Sequence, residues 1–278
     1  MMVMNIFHDI LAYEFFQKAL LTGAVVGIVC GVIGSFIVMR GLALMGDAIS
    51  HAVLPGVAIS FMLGINFFVG AVIVGLLAAI GIGFINQNSN IKNDSAIGIV
   101  FSTFFAIGVL LIAKANTAMD LTEILFGNVL TVRDIDRTLT MIVAAVVILV
   151  VILFYKEFLI TTFDPTMAVA SGMPVKTIHY GLMVLLTLVT VVSLQTVGVI
   201  LVVSLLITPA ATAYLLTKRM SLMIVIAASL GGISAIIGLM FSFKLNLSSG
   251  PTIVLVATAF FLIAFIFAPK KGVLWKWI

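Results

Sequence analysis

Charge is what this chain has least of. Only 9% of its 278 residues are Asp, Glu, Lys or Arg, against 63% hydrophobic, and apolar runs on that scale exceed what one soluble core can bury. A water-soluble globular fold is excluded, and the composition is that of a polytopic membrane protein. Cysteine is nearly missing: Cys30 lies in an apolar run, can form no intrachain disulfide and reads as a small core residue. Tyr (4) and Trp (2) are scarce beside Phe (21), and Trp275 and Trp277 stand with Lys270, Lys271 and Lys276 near the C-terminus, as an interfacial anchor would. Met1 to Tyr13 has no basic n-region and no small-residue cleavage site, so no removable signal peptide is expected. There is no Gly-x-x-x-x-Gly-Lys-Ser/Thr to cradle nucleotide phosphates, and no His-Glu-x-x-His or Gly-x-Ser-x-Gly for an intramembrane hydrolase. The chain is therefore expected to be no enzyme, to hold no permanent cofactor and to bind no nucleic acid; its surroundings are membrane lipid.

What is there is a series of apolar runs of spanning length, about 20 residues each. They fall at roughly 19–39, 42–63, 67–85, 95–113, 138–155, 178–194, 198–216, 222–243 and 252–268. The expected fold is all-α, a single transmembrane domain over 1–278 with nine spans, or eight if the weak break at Gln195 to Gly198 is no turn. No repeat relates the two halves, which weakens the case for an inverted-repeat secondary transporter. Assigning alternate breaks to the cytoplasm gathers Arg40, Lys92, Lys156, Lys176, Lys218, Arg219, Lys270, Lys271 and Lys276 there, leaving Lys18, Lys114, Arg133, Arg137 and Lys244 outside. That frame puts the C-terminus inside and makes the outer face faintly acidic. Residues 116–137, with Leu121, Ile124, Leu125 and Val129 in amphipathic register, read as an outer-surface helix. His8 and His179 have no acidic or His neighbour at helical spacing and are expected to be interfacial.

One carboxylate lies inside a span. Asp47 is followed four residues later by His51, a spacing that puts both on one helix face about a turn apart. An Asp at mid-helix costs about 2.5 to 3.5 kcal/mol on insertion scales, so its default reading is a site or a pathway. Pro55 has no N–H to offer the carbonyl of His51, which suggests a third oxygen ligand on the same turn. Carboxylate, imidazole and carbonyl suit Mn, Fe(II) or Zn better than Cu(I). The competing reading is a polar pair that holds a packing register between helices.

Two further segments stand out. Asp164 at an N-cap, Pro165 at the first helical position and Gly172 at the stop write a short helix bracketed on both sides, stiff enough to plug into a partner. In Thr208-Pro209-Ala210-Ala211-Thr212-Ala213, Pro209 interrupts the ladder of a span rich in small residues, as close packing, a hinge or a dimer contact would use.

Taken in order, the run Arg40-Gly41 to Asp47-Ala48-Ile49-Ser50-His51-Ala52-Val53-Leu54-Pro55-Gly56, then Phe163-Asp164-Pro165 with Ala168 and Gly172, then Thr208 to Ala213, resembles the permease subunit of bacterial manganese/zinc ABC importers, most closely those of Gram-positive bacteria. The resemblance runs from about Phe16 to Pro269. It implies a fold related to the vitamin B12-type importers, a homodimer in the bacterial cytoplasmic membrane, cytoplasmic ATP-binding subunits that hydrolyse the ATP, and an extracellular metal-binding lipoprotein. It further implies Asp47 and His51 as metal ligands, acting halfway across the membrane, and Asp164, Ala168 and Gly172 as the segment coupled to the ATPase. The cargo it implies is manganese, with zinc or iron as alternatives. A metal channel or a proton-coupled secondary transporter would also place Asp and His in a span, though it would gain nothing from the capped helix. A membrane metalloenzyme would need another intramembrane acid.

Overall fold

A computed structural model describes residues 13–114, 129 and 132–268, and within them the chain is helical throughout, with no strand. Helices α1 (Glu14–Met39), α2 (Leu44–Ala52), α3 (Leu54–Leu63), α4 (Phe67–Asn88) and α5 (Asn93–Lys114) are followed by α6 (Asp134–Leu153), α7 (Tyr155–Phe163) and α8 (Pro165–Ala170). The order closes with α9 (Val175–Val197), α10 (Val199–Leu216), α11 (Met220–Leu245) and α12 (Ser249–Phe267). Nine of the described stretches are long and apolar enough to cross a membrane, α2 and α3 counting as one. The higher of the two expected counts holds because Gly198 turns the chain alone, at φ +83° and ψ +165°, a region only glycine occupies without strain.

The expected spans agree with the observed helices to within a few residues. What periodicity did not disclose is α7, which the polar break after Lys156 had suggested was loop. Its first turns carry Phe158, which is buried with its ring 5.7 Å from that of Phe36, and this contact brings the segment back against the bundle. Of the amphipathic stretch expected at 116–137 the described residues are Val129, buried beside Gly23, and 132–137, whose last four already belong to α6; the rest lies outside them. The N-terminus with His8, and the Trp275/Trp277 anchor, lie outside them too.

The centre of the bundle is α1, with Phe16, Ile33 and Phe36 fully buried. It meets α11 at Gly27 and Gly31, where a methyl group on either would run into the α11 backbone at Gly231 or Ala227, and it meets α10 where Gly34 lies on the Leu206 carbonyl. Small residues one turn apart let backbones approach closely in lipid, where dispersion rather than the hydrophobic effect holds helices together. A test follows from that contact. Gly27→Ala should destabilise the purified protein by about 1–3 kcal/mol, the usual cost of overpacking, whereas Gly181→Ala, which meets open space, should leave thermal unfolding unchanged.

Candidate metal site and a doubly capped helix

Asp47 sits in the first turn of α2 and His51 in the last. Around them Met45, Gly46, Ala48, Ile49, Ser50 and Ala52 are buried, so this short helix is packed on all other sides. The Asp47 Oδ1 and His51 Nε2 atoms are 3.5 Å apart, with the carboxylate side chain 45% exposed and the imidazole 20%. That distance exceeds the 2.7–2.9 Å of a charge-assisted hydrogen bond, and it is close to the roughly 3.4 Å edge of a tetrahedron with bonds of about 2.1 Å. The two donors face a common point without satisfying each other.

Two phenyl rings fix the imidazole. Phe101 and Phe105 of α5 stand edge-on to it, with centroids at 5.5 and 5.7 Å. They shut the far side of the ring, where Nδ1 is buried with no hydrogen-bond partner, and leave Nε2 as the atom turned to Asp47. No group of three or more His, Cys, Asp and Glu side chains capable of holding a metal occurs among the described residues. Among the described residues the pair therefore stands without a third such side chain.

Pro55 does interrupt the span, at the first positions of α3 just past the Val53 cap. The expected free oxygen is not there, however: backbone N–H groups at the cap bond to the carbonyls of His51 and Ile49, so a local bond replaces the one proline removes. The interruption is instead held by close contact, because a methyl on Gly108 of α5 would collide with Leu54 and Pro55, and one on Gly56 with the Gly70 backbone of α4.

Along the bundle the pair sits nearer one end of α1 than the other. Gly46 abuts the Leu206 side chain and Gly34 the Leu206 backbone, so Asp47 lies level with Gly34. Gly34 precedes Arg40 by only six residues, about 9 Å of helix. The pair is thus displaced towards the end of the bundle that carries Arg40 and α8.

At that end α8 is closed at both termini. Asp164 Oδ1 accepts from the Met167 N–H at 2.8 Å and from the Thr166 hydroxyl at 2.6 Å, and Pro165 occupies the first position. At the other terminus Gly172, at φ +77°, donates to Val169 and Met173 donates to Ala168, both at 3.0 Å, the paired bonds of a Schellman stop. Ala168 is fully buried on the inner face while Met167, 60% exposed, stands on the outer as an apolar surface that the described residues leave open, and Val169, 64% exposed, lies on the opposite flank of the helix. Pro209 and Ala210, by contrast, are buried within the chain, and α10 runs through Pro209 without a break.

Arg40, quoted in the sequence motif without a role, turns out to be a junction. Its guanidinium donates to Thr161 at 2.7 Å and Thr162 at 3.0 Å, and lies 3.3 Å from Nδ1 of His179, tying the end of α1 to α7 and α9. Burial without a counter-charge pulls its pKa down to about 10. No spacing in the sequence links positions this far apart.

A helical bundle of spans with an acid–imidazole pair inside one of them and a stiff helix projecting at one end is the architecture of a polytopic membrane transport subunit. The chain matches the ABC 3 transport family over residues 12–268 and belongs to it. It is 64% identical over 267 residues to the manganese transport system membrane protein MntC of Listeria monocytogenes, covering 96% of this chain and 95% of that protein. It is 40% identical over 272 residues, 98% and 92% of the two, to the chelated iron transport system membrane protein YfeD of Yersinia pestis. Among solved structures, PsaBC from Streptococcus pneumoniae in complex with Fab aligns with a TM-score of 0.88 at 50% identity, over 99% of this chain and all of the matched one. An inward-facing metal-chelate type ABC transporter aligns at 0.71 over 90% of this chain and 85% of its own, a likeness of fold alone at 14% identity.

The α8 caps make a pH-dependent prediction. The Thr166 hydroxyl and the Met167 amide hold the Asp164 carboxyl below its usual range, so the cap is present above the unfolded value of about 3.9 and is lost as pH falls through the lower folded one. Amide exchange at 168–170 should be slow and flat with pH-corrected rate near neutrality, and rise below about pH 4. In Asp164→Ala it should be fast throughout; equal protection in the two proteins would deny the cap its role.

Proposed function

We propose that this chain is the permease subunit of an ATP-driven importer that carries a divalent transition metal, manganese first and zinc or iron(II) as alternatives, across the bacterial cytoplasmic membrane. The observation that carries the reading is the Asp47–His51 pair: two donors of different hardness, 3.5 Å apart, unsatisfied by each other and backed by phenyl rings. The names of the manganese and iron relatives supply the cargo class. Oxygen and imidazole nitrogen suit those ions, and thiolate or thioether donors, which would favour Cu(I), are not part of the pair.

On this reading the functional unit is a homodimer. A carboxylate half exposed within a span would be costly against hydrocarbon. A second copy related by a two-fold axis covers it and brings a second carboxylate and a second imidazole to the same point. Four donors replace much of a cation's hydration as it crosses. An extracellular metal-binding lipoprotein delivers the ion, and cytoplasmic ATP-binding subunits dock on the exposed Met167 side of α8, so that Arg40, α8 and the C-terminus face the cytoplasm. Asp164 and Gly172 keep α8 stiff and Ala168 seats it. Its motion reaches the site through α9, whose Thr187 and Val191 converge with Val53 on Gly75 of α4, at the interruption between α2 and α3. Hydrolysis of ATP is the partner's chemistry.

Asp47→Asn and His51→Ala should each reduce manganese uptake by at least tenfold in cells, with the protein still in the membrane and ATPase binding retained. Uptake at wild-type rate by both variants would leave the pair as a packing device only. Pro55→Ala should slow manganese and zinc by the same factor, because the His51 carbonyl already has a backbone partner and the proline acts through helix geometry. A loss confined to manganese would restore that oxygen as a ligand.

A further inference from the structure

A cavity of about 570 Å³ opens beside Arg40, enclosed by the end of α1, the end of α4, the start of α5, α7, α8 and the start of α9. Its polar lining carries positive charge, with the hydroxyls of Thr161 and Thr162 already accepting from Arg40. Arg40, Lys176 and His179 supply charge or ring nitrogen, and Asn86, Gln87 and Asn93 supply amides. Among the described residues no carboxylate lines it: Asp94 and Asp164 are neighbours in sequence of Asn93 and Pro165, yet neither borders the cavity. The first residues of α5 and α9, Asn93 and Val175, do border it, so two helix N-termini add their positive ends. Asn86 can meet an anion only through its side-chain NH2, its Oδ1 being an acceptor that is buried and unpartnered among the described residues.

Arg40 is the decisive group. Its three contacts are two hydroxyls and an imidazole nitrogen, which orient the fork and leave its charge uncompensated. A partly buried guanidinium without a counter-ion is costly, and a planar fork is the side chain best matched to the oxygens of a phosphate. The space greatly exceeds the roughly 30 Å³ of one water and admits a whole phosphate group. Donors arriving from Arg40, Lys176, the amides and helix ends on several sides fit a tetrahedral anion better than a flat carboxylate.

We propose that this cavity binds a phosphate group, presented by an anionic phospholipid headgroup or free in solution, between Arg40, Lys176 and the amides of Asn86, Gln87 and Asn93. Pro165 and Val169 form the wall on the α8 side, so a bound phosphate braces α8 against α4, α5 and α9. The site does not depend on the metal-transport reading, since none of its residues belongs to the Asp47–His51 pair.

Native mass spectrometry of the full-length purified chain, with phosphatidylglycerol or phosphatidylcholine added, tests it. Phosphatidylglycerol should be retained in preference, and Lys176→Gln should weaken that retention about fivefold, the effect of one basic residue near a charged headgroup. Arg40→Gln should abolish it, and Lys218→Gln, at a residue that does not line the cavity, should change nothing. Displacement by millimolar inorganic phosphate would identify the free anion as an occupant, and resistance would identify the lipid; both outcomes support the site. Lys176 is exposed and makes no side-chain bond, so its variant keeps the test decisive should Arg40→Gln fail to fold. Equal retention of the two lipids with no phosphate binding, or a folded Lys176→Gln and Arg40→Gln that behave as wild type, would overturn the proposal and leave the cavity to an acidic segment of a protein partner.

Discussion

The structure is organised around a carboxylate in a place where carboxylates are expensive. Asp47 lies in the first turn of a nine-residue helix inside a span, and the His51 ring beside it is too far for a strong hydrogen bond. Lipid cannot settle that pair cheaply, so neighbouring elements are shaped to it. Phe101 and Phe105 close the imidazole's back, Gly46 lets Leu206 of α10 close in beside the carboxylate's turn, and the stop at Val53 ends α2 immediately after His51.

The same constraint explains the distribution of glycine. A site that is half open on one side must be rigid on the others, and in lipid rigidity comes from close backbone contact. Gly27, Gly31 and Gly34 draw α1 onto α11 and α10, Gly56 and Gly70 lock α3 to α4, and Gly108 seats Pro55. Leaving out the Cβ at each position gains contact along a whole turn of helix. Proline does the complementary work: Pro55 denies the α2–α3 span an uninterrupted ladder, and the cap bonds to His51 and Ile49 keep the interruption from exposing orphan carbonyls.

Much of this was legible in the chain. Apolar length sets the spans, because a bilayer imposes about 20 residues on any helix that crosses it. The α8 helix was legible from Asp164, Pro165 and Gly172, because capping is local chemistry and local chemistry is written in neighbouring residues. What was not legible is long-range. The Arg40 contacts join residues more than a hundred positions apart, as does the Gly27–Gly231 approach, and Phe101 and Phe105 reach His51 from a different helix some fifty positions on. The error over the His51 carbonyl was of another kind. Proline chemistry predicts which bond is lost but not which N–H replaces it, and a cap one residue earlier supplied the replacement.

Stiffness and compliance are arranged in a useful order for the proposed function. The α8 helix, bonded at both ends and seated on buried Ala168, is too short and too well capped to bend, so a push on its exposed face moves it as a unit. It passes at Gly172 and Pro174 into α9, a straight run of 23 residues that cannot shorten. Midway along α9, Thr187 and Val191 press through Gly75 towards Val53, the weakest point of the α2–α3 span, where the backbone ladder is already interrupted. A displacement delivered there is absorbed as a change in angle between α2 and α3, and His51 is two residues away. On the proposed reading, geometry at Asp47 and His51 therefore responds to movement at α8 without any side chain carrying a signal. The chain needs only one stiff element, one long lever and one prepared weakness beside the site.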